Sequence, residues 1–178
     1  MLALMIHGRL ASLIPRYRRR MRTLEPTDLA FFDTAPAQIT GRAHLSARPE
    51  RVFASFADPD EWTKWFPKIK KIGWIKGTGG VGSEREVFLG GGLGAYRERF
   101  IAWEPGKRFA FTMFETSSLF VKHLAEDFRL TPEGTGTQVD WTMASKLTVI
   151  GHLAWPVMRA LMGSIFRNGT KKLETVLA

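Results

Sequence analysis

Over residues 37–47 (AQITGRAHLSA) apolar and polar positions alternate. Ile39, Gly41, Ala43 and Leu45 take one side and Gln38, Thr40, Arg42 and His44 the other, which is the period of a half-buried strand. The period changes at PERVFASFA. Pro49 suits a first helical turn, Glu50 suits the positive end of a helix, and Val52, Phe53 and Phe56 make one apolar face. Asp58-Pro59 breaks this helix. Asp58 is placed to cap a second short one, PDEWTKWF, which Pro67 ends.

From there to residue 147 the period is two again. Strands are expected at 70–76, 83–89, 95–103, 107–114, 119–130 and 137–147, with turns at 77–82, 90–94, 104–106, 115–118 and 131–136. Strands in close succession, with no helix between them, make an antiparallel meander. The end of the chain is helical. At about 100° per residue, Met158, Leu161, Met162, Ile165, Phe166, Gly169, Leu173 and Val176 share one apolar arc, while Arg159, Gly163, Arg167 and Lys171 lie outside it. Pro156 is expected to start or kink this helix, and His152 to sit at its opening. A helix cannot bury such an arc alone, so it must lie on the concave face of the sheet. The expected fold is α+β in the order β-α-α-β6-α: a curved antiparallel sheet of about seven strands around a long C-terminal helix. The domain spans 37–178, and 1–36 form a basic tail and linker, with Phe31 and Phe32 placed to dock on the domain.

Charge changes the picture in one place. The 178-residue chain carries +9, but Arg9, Arg16, Arg18, Arg19, Arg20 and Arg22 lie in the first 22 residues with no acid among them, leaving +3 for the rest. The basicity belongs to a tail rather than to a domain face, so no nucleic-acid partner is expected. Three readings of the tail stand: an extension of no consequence, a stretch upstream of a true start at or near Met21, or a basic amphipathic segment making peripheral contact with anionic lipid through residues 1–22. The apolar run MLALMI precedes the arginines, the reverse of a secretory signal, and no uninterrupted apolar stretch is long enough to span a bilayer. A cytoplasmic location, with the membrane periphery as the variant, is expected. With no Cys and four scattered His, no metal site and no cofactor are expected.

The ordered landmarks ARPERVF (47–53) with Asp58-Pro59, Trp62, Trp65 and Pro67, then Gly82-Ser83, WEPGKRF (103–109), and FRLTP (128–132) with Gly136-Thr137 resemble the START-like, helix-grip (SRPBCC) superfamily. The specific resemblance is to its polyketide cyclase/dehydrase and lipid-transport branch, over residues 37–177. These are turn and packing residues, so the resemblance speaks for the fold and not for a chemistry. It implies a deep apolar cavity between sheet and helix. Family members hold lipids, polyketides or steroids there; some catalyse cyclisation or dehydration and many only bind or carry.

Two motifs have plainer readings. Gly77, Gly79 and Gly82 match GxGxxG, but an alternating segment follows them where a dinucleotide site needs a helix, so a hairpin turn is expected. Asn168-Gly169-Thr170 matches a glycosylation sequon but falls inside the long helix. Gly90, Gly91, Gly92 and Gly94 surround Leu93 at the expected cavity mouth, either as a mobile gate with Leu93 as its latch or as a hairpin of no function.

Strand parity supplies the candidate site. If Phe128 faces the helix, so do Leu124, Glu126 and Leu130. Arg85 shares a face with Val87 and Leu89, and Glu98 shares one with Tyr96 and Phe100. Arg85, Glu98 and Glu126 then point into an apolar space, where charges are costly unless paired. They form a structural ion pair, a group that orients a ligand's polar end, or an acid/base set with a raised carboxyl pKa, unless a bulge turns one of them outward. Phe100, Phe109, Phe111, Met113, Val139, Trp141, Met143, Met158, Met162 and Ile165, with Leu93, are expected in the lining; the alternative is plain core. His123 is expected on the outer face, exposed. The leading reading is a binder or carrier of a hydrophobic small molecule. The first rival is a polyketide cyclase/dehydrase-type enzyme with Glu98 or Glu126 as acid/base and Arg85 or Tyr96 stabilising an enolate oxygen. The second is a docking module that uses the tail on membrane or nucleic acid.

Overall fold

A computed structural model describes residues 21–178; the readings of residues 1–20 lie outside the described residues. The elements are β1 (Arg22–Thr23), α1 (Phe31–Thr34), β2 (Ala37–Leu45), α2 (Pro49–Ala57), α3 (Pro59–Trp65), β3 (Ile69–Lys76), β4 (Glu84–Leu89), β5 (Gly94–Glu104), β6 (Arg108–Thr116), β7 (Val121–Glu133), β8 (Gly136–Leu147) and α4 (Val149–Leu177). Strands β2 to β8 form one antiparallel sheet in the order β2-β8-β7-β6-β5-β4-β3, and β1 pairs with β6 off this path. This is the helix-grip architecture expected from the alternation, with one short strand more.

The two short helices form as their sequence dictates. Each carries proline in its first turn, and the Asp58 side chain accepts from the Asp60 amide at 2.8 Å to cap α3. They plug one end of the sheet with rings. Phe56 lies within 6 Å of Trp62, Trp65, Phe109 and Phe128, and the Trp62 indole donates to the Phe56 carbonyl at 2.7 Å. Gly77, Gly79 and Gly82 make the β3–β4 turn, which runs directly into a strand. Strand β7 outlasts its expectation: Thr131, Pro132 and Glu133 still pair with β8, leaving a tight turn at Gly134. Proline is tolerated there because β6 has stopped pairing with β7, so the edge is open.

The expected linker is a strap. Pairing between β6 and β7 stops at Thr112↔Ala125, and β1 fills the split beyond it, through Arg22↔Thr116 and Thr23↔Glu115. Arg22 donates to the Ser118 and Val121 carbonyls, and Leu24 is 2% exposed in the main core. The chain then crosses the convex face. The Thr27 amide donates to the Thr112 hydroxyl at 2.9 Å, and Phe32 sits on a seat of Ala102, Ala110, Ala125 and Ala144, one from each of four adjacent strands. His123 lies under this strap, against Glu25 and Phe31, rather than exposed. A bulge between Val121 and His123 is what places Val121 inside and His123 outside.

The long helix starts at Val149, seven residues before Pro156, because the Thr148 hydroxyl accepts from the Gly151 amide at 3.0 Å and caps it. Pro156 lies within the helix and does not start it. The C-terminal half is seated, with Ile165, Phe166, Gly169 and Leu173 buried and β2 and α3 as its main neighbours. Gly41 permits this seat: a Cβ there would stand 2.4 Å from the Phe166 ring. The N-terminal half differs, leaving Val149, Ile150, Leu153 and Val157 exposed. Contrary to the reading of the sequence, α4 is long and apolar enough to cross a membrane by length and composition. Its polar residues are spaced so that no run is uninterrupted, and its buried C-terminal half belongs to the domain core.

Candidate functional site

Four strands place the polar side chains of the concave face in one row. Arg85 on β4 is the register partner of Glu98 on β5; Glu98 faces Met113 on β6, and Phe111 on β6 faces Glu126 on β7. An apolar cavity of about 80 Å³ lies over this row, roofed by Gly151, Trp155, Met158 and Met162 of α4. Val87, Leu89, Tyr96, Phe120, Leu124 and Met143 also line it, and Leu93 reaches it from the β4–β5 turn. That turn is built by glycine: Gly91, Gly92 and Gly94 have φ of 71°, 80° and 91°, a region closed to most side chains.

The Arg85 side chain is 1% exposed, and its Nε donates to a Glu98 oxygen at 2.5 Å. Four rings surround the guanidinium, with its carbon 4.8 Å from Trp62 and Phe111, 5.1 Å from Phe100 and 5.3 Å from Phe109. Such contacts replace part of the lost hydration. They leave one N–H group unmet, for Nη1 is buried with no hydrogen-bond partner. Burial pushes the Glu98 carboxyl above its ordinary range, against the pull of Arg85. Glu126 is also raised, to about 7, chiefly by burial and then by the like charge of Glu98; the indole N–H of Trp141, donating at 2.8 Å, opposes the rise. Burial also raises the Tyr96 phenol. The site thus pairs a fixed cation with a carboxyl poised near neutrality, the condition in which one group can both donate and accept a proton.

The structure brings Arg85, Leu93, Tyr96, Glu98, Phe111, Met113, Glu126, Met143, Met158 and Met162 together around the cavity. It does not bring all of the expected lining. Phe100 and Phe109 lie in the aromatic core beneath α2 and α3, behind the wall residues Arg85 and Phe111 that they touch. Val139, Trp141 and Ile165 border a separate void of about 10 Å³. The physical reason is the seat at Gly41. Phe166 drops onto Trp141, centroids 4.9 Å apart with 10° between the planes, and α4 closes on the sheet at that end. Trp155 and Phe120 are wall residues that sequence reasoning missed. Thr148 as a cap was the signal: a helix starting there puts residues 151, 155, 158 and 162 on one face. Among the described residues no group of three or more His, Asp or Glu could hold a metal ion.

An uncharacterised protein of Mycobacterium tuberculosis (strain ATCC 25618 / H37Rv) is 35% identical over 155 residues, covering 86% of this chain and 92% of the relative. A START superfamily protein from Mycobacterium smegmatis shares the fold at a TM-score of 0.64 and 16% identity, over 79% of this chain and 96% of that one. The Zhui aromatase/cyclase of Streptomyces sp. R1128 does so at 0.60 and 15%, over 79% and 90%. A protein from Thermus thermophilus does so at 0.67 and 20%, over 79% and 97%. Residues 36–178 match the family described as polyketide cyclase / dehydrase and lipid transport, and the chain belongs to that family.

Proposed function

We propose that this protein binds a hydrophobic small molecule with one oxygen-bearing end between the sheet and α4, and holds or carries it. The observation that carries the reading is the unmet Nη1 of Arg85, a residue in the wall of a mainly apolar cavity. An unsatisfied buried donor costs about 1–3 kcal/mol, which a carbonyl or carboxylate oxygen of a ligand would offset. The free space of about 80 Å³ holds roughly three waters at about 30 Å³ each, so a lipid-sized ligand enters only as the wall moves. The N-terminal half of α4, exposed along Val149, Leu153 and Val157, is the part of the wall with the least packing to lose. Native mass spectrometry of the protein purified from its own host, followed by mass analysis of the denatured extract, tests this. A co-purifying apolar molecule bearing a carbonyl or carboxyl is expected, and Arg85→Met should lose it. Protein that stays empty, and that takes up no fatty acid or polyketide aromatic on addition, would overturn the reading.

A second reading rests on Glu126. A carboxyl raised to about 7 inside an apolar cavity suits removal of an α-proton from a bound ketone and return of that proton to a leaving hydroxyl. Arg85 would hold the enolate oxygen. Glu126→Gln should then abolish cyclisation or dehydration of a poly-β-ketone thioester while leaving its binding within a few-fold. Equal turnover by the variant would discard this chemistry.

A further inference from the structure

The cavity mouth carries a second feature that ligand binding does not use. Val149 is 79% exposed, Leu153 81% and Val157 71%, and these residues recur along the outer face of α4's first turns. Ile150 and, on the preceding loop, Leu119 at 63% adjoin them, for the Thr148 hydroxyl donates to the Leu119 carbonyl. The patch is continuous with the cavity wall, to which the same helix half contributes Gly151, Trp155 and Met158. Large apolar side chains gathered on one face of a domain mark a surface that meets another apolar phase.

Charge identifies that phase. Among the segments that meet at this end of the sheet, beside the strap and the start of β2, are 66–71, 89–94, 117–123 and 145–160. They contain Lys68, Lys70, Lys71, Lys122, Lys146 and Arg159 and no Asp or Glu. The nearest acid along the chain, Glu115, is held by Arg97 at 2.7 Å. The strap is anchored at the same end, where Arg22 is bonded to the Ser118 and Val121 carbonyls and the exposed Glu25 faces His123 at 3.4 Å. Residues 1–20, which precede it, add Arg9, Arg16, Arg18, Arg19 and Arg20 and no acid. An apolar face whose rim is mostly cationic, with Glu25 set against His123 as its one strap acid, does not complement this basic segment, nor a second copy of itself. It complements a surface with an apolar interior and anionic headgroups.

We infer that the cavity-mouth end docks on an anionic lipid bilayer, with Leu119, Val149, Ile150, Leu153 and Val157 entering the interface and Lys122, Lys146 and Arg159 meeting lipid phosphates. Docking there sets the mouth of the cavity against the membrane. The inference goes beyond the ligand-binding reading and stands without it, because its test contains no ligand.

The test is co-sedimentation of the full chain with vesicles of pure phosphatidylcholine and of phosphatidylcholine with one-third phosphatidylglycerol. Binding to the anionic vesicles, weakened by salt, and little binding to the neutral ones are expected. The double variant Leu153→Glu/Val157→Glu should lower partitioning about tenfold or more. Lys122→Glu/Lys146→Glu should lower it and flatten the salt dependence. All four side chains are exposed, so an unchanged thermal midpoint should accompany both losses. Three results would overturn the inference: no binding by the full chain; binding that the Leu153/Val157 variant retains; or a dimer that this variant dissociates while the parent ignores vesicles, which would give the face to a second copy.

Discussion

The indole N–H of Trp141 on β8 donates to a Glu126 carboxylate oxygen on β7 at 2.8 Å, and the same indole stacks on Phe166 of α4 with 10° between the ring planes. One side chain thus joins the seating of the long helix to the titration of the cavity carboxyl. Removing the donor removes a contact that favours the charged form. Trp141→Phe is therefore expected to move the Glu126 titration above about 7, read by carbon-detected NMR of the carboxyl, and to cost about 1–3 kcal/mol of stability. A titration that stays in place would show that the indole does not govern this group.

The Arg85–Glu98 pair is buried, and removing one partner leaves the other uncompensated. Glu98→Gln should destabilise the fold by about 3–5 kcal/mol in urea unfolding. It should also lower the Glu126 titration, since the like charge of Glu98 is one of the causes holding it up. The double change Arg85→Met/Glu98→Met removes both charges and should recover most of the lost stability. If the double variant is as unstable as the single one, packing rather than charge is what the pair supplies.

The carboxyl of Glu126 also leaves a mark on stability. Its folded pKa of about 7 lies above the ordinary 4.5, so between these values the folded state holds more protons than the unfolded one. Stability from this group is fully present below about pH 4.5 and is lost as pH rises through 7. Glu126→Gln should flatten the profile in this window and be more stable than the parent at pH 8, by on the order of 1–3 kcal/mol. Parallel profiles for parent and variant would mean that the carboxyl ionises as freely as in water.

Leu24 inserts from the strap into the main core, where β6 and β7 have parted. Leu24→Ala should cost about 2–5 kcal/mol, and hydrogen exchange should rise first at Val121 and Ser118, whose carbonyls hold Arg22. A loss well under about 1 kcal/mol would mean that the split closes without the strap.

Local pattern settled much of this protein. The period of two placed the seven long strands of the sheet, and the Pro-Glu and Asp-Pro signals placed α2 and α3, because each depends on neighbours along the chain. Parity within each strand also put Arg85, Glu98 and Glu126 on the concave side, since a side chain's face is fixed once the register is. What parity could not say is how far along the sheet the space remains open. Phe109 and Glu126 share the concave face, yet one is core and the other wall. α3 and the Phe166–Trp141 stack close the sheet at one end, and nothing in either strand records that closure. The strap was equally hidden: residues 22–36 have no period, and they order only against a split between two strands and a seat of four alanines from distant parts of the chain. Alternation determined the fold and the facing of its charges. Tertiary packing decided the length of the cavity, the rise of Glu126 and the bare helix face at the mouth, because each is set by which surfaces, far apart in sequence, keep water out.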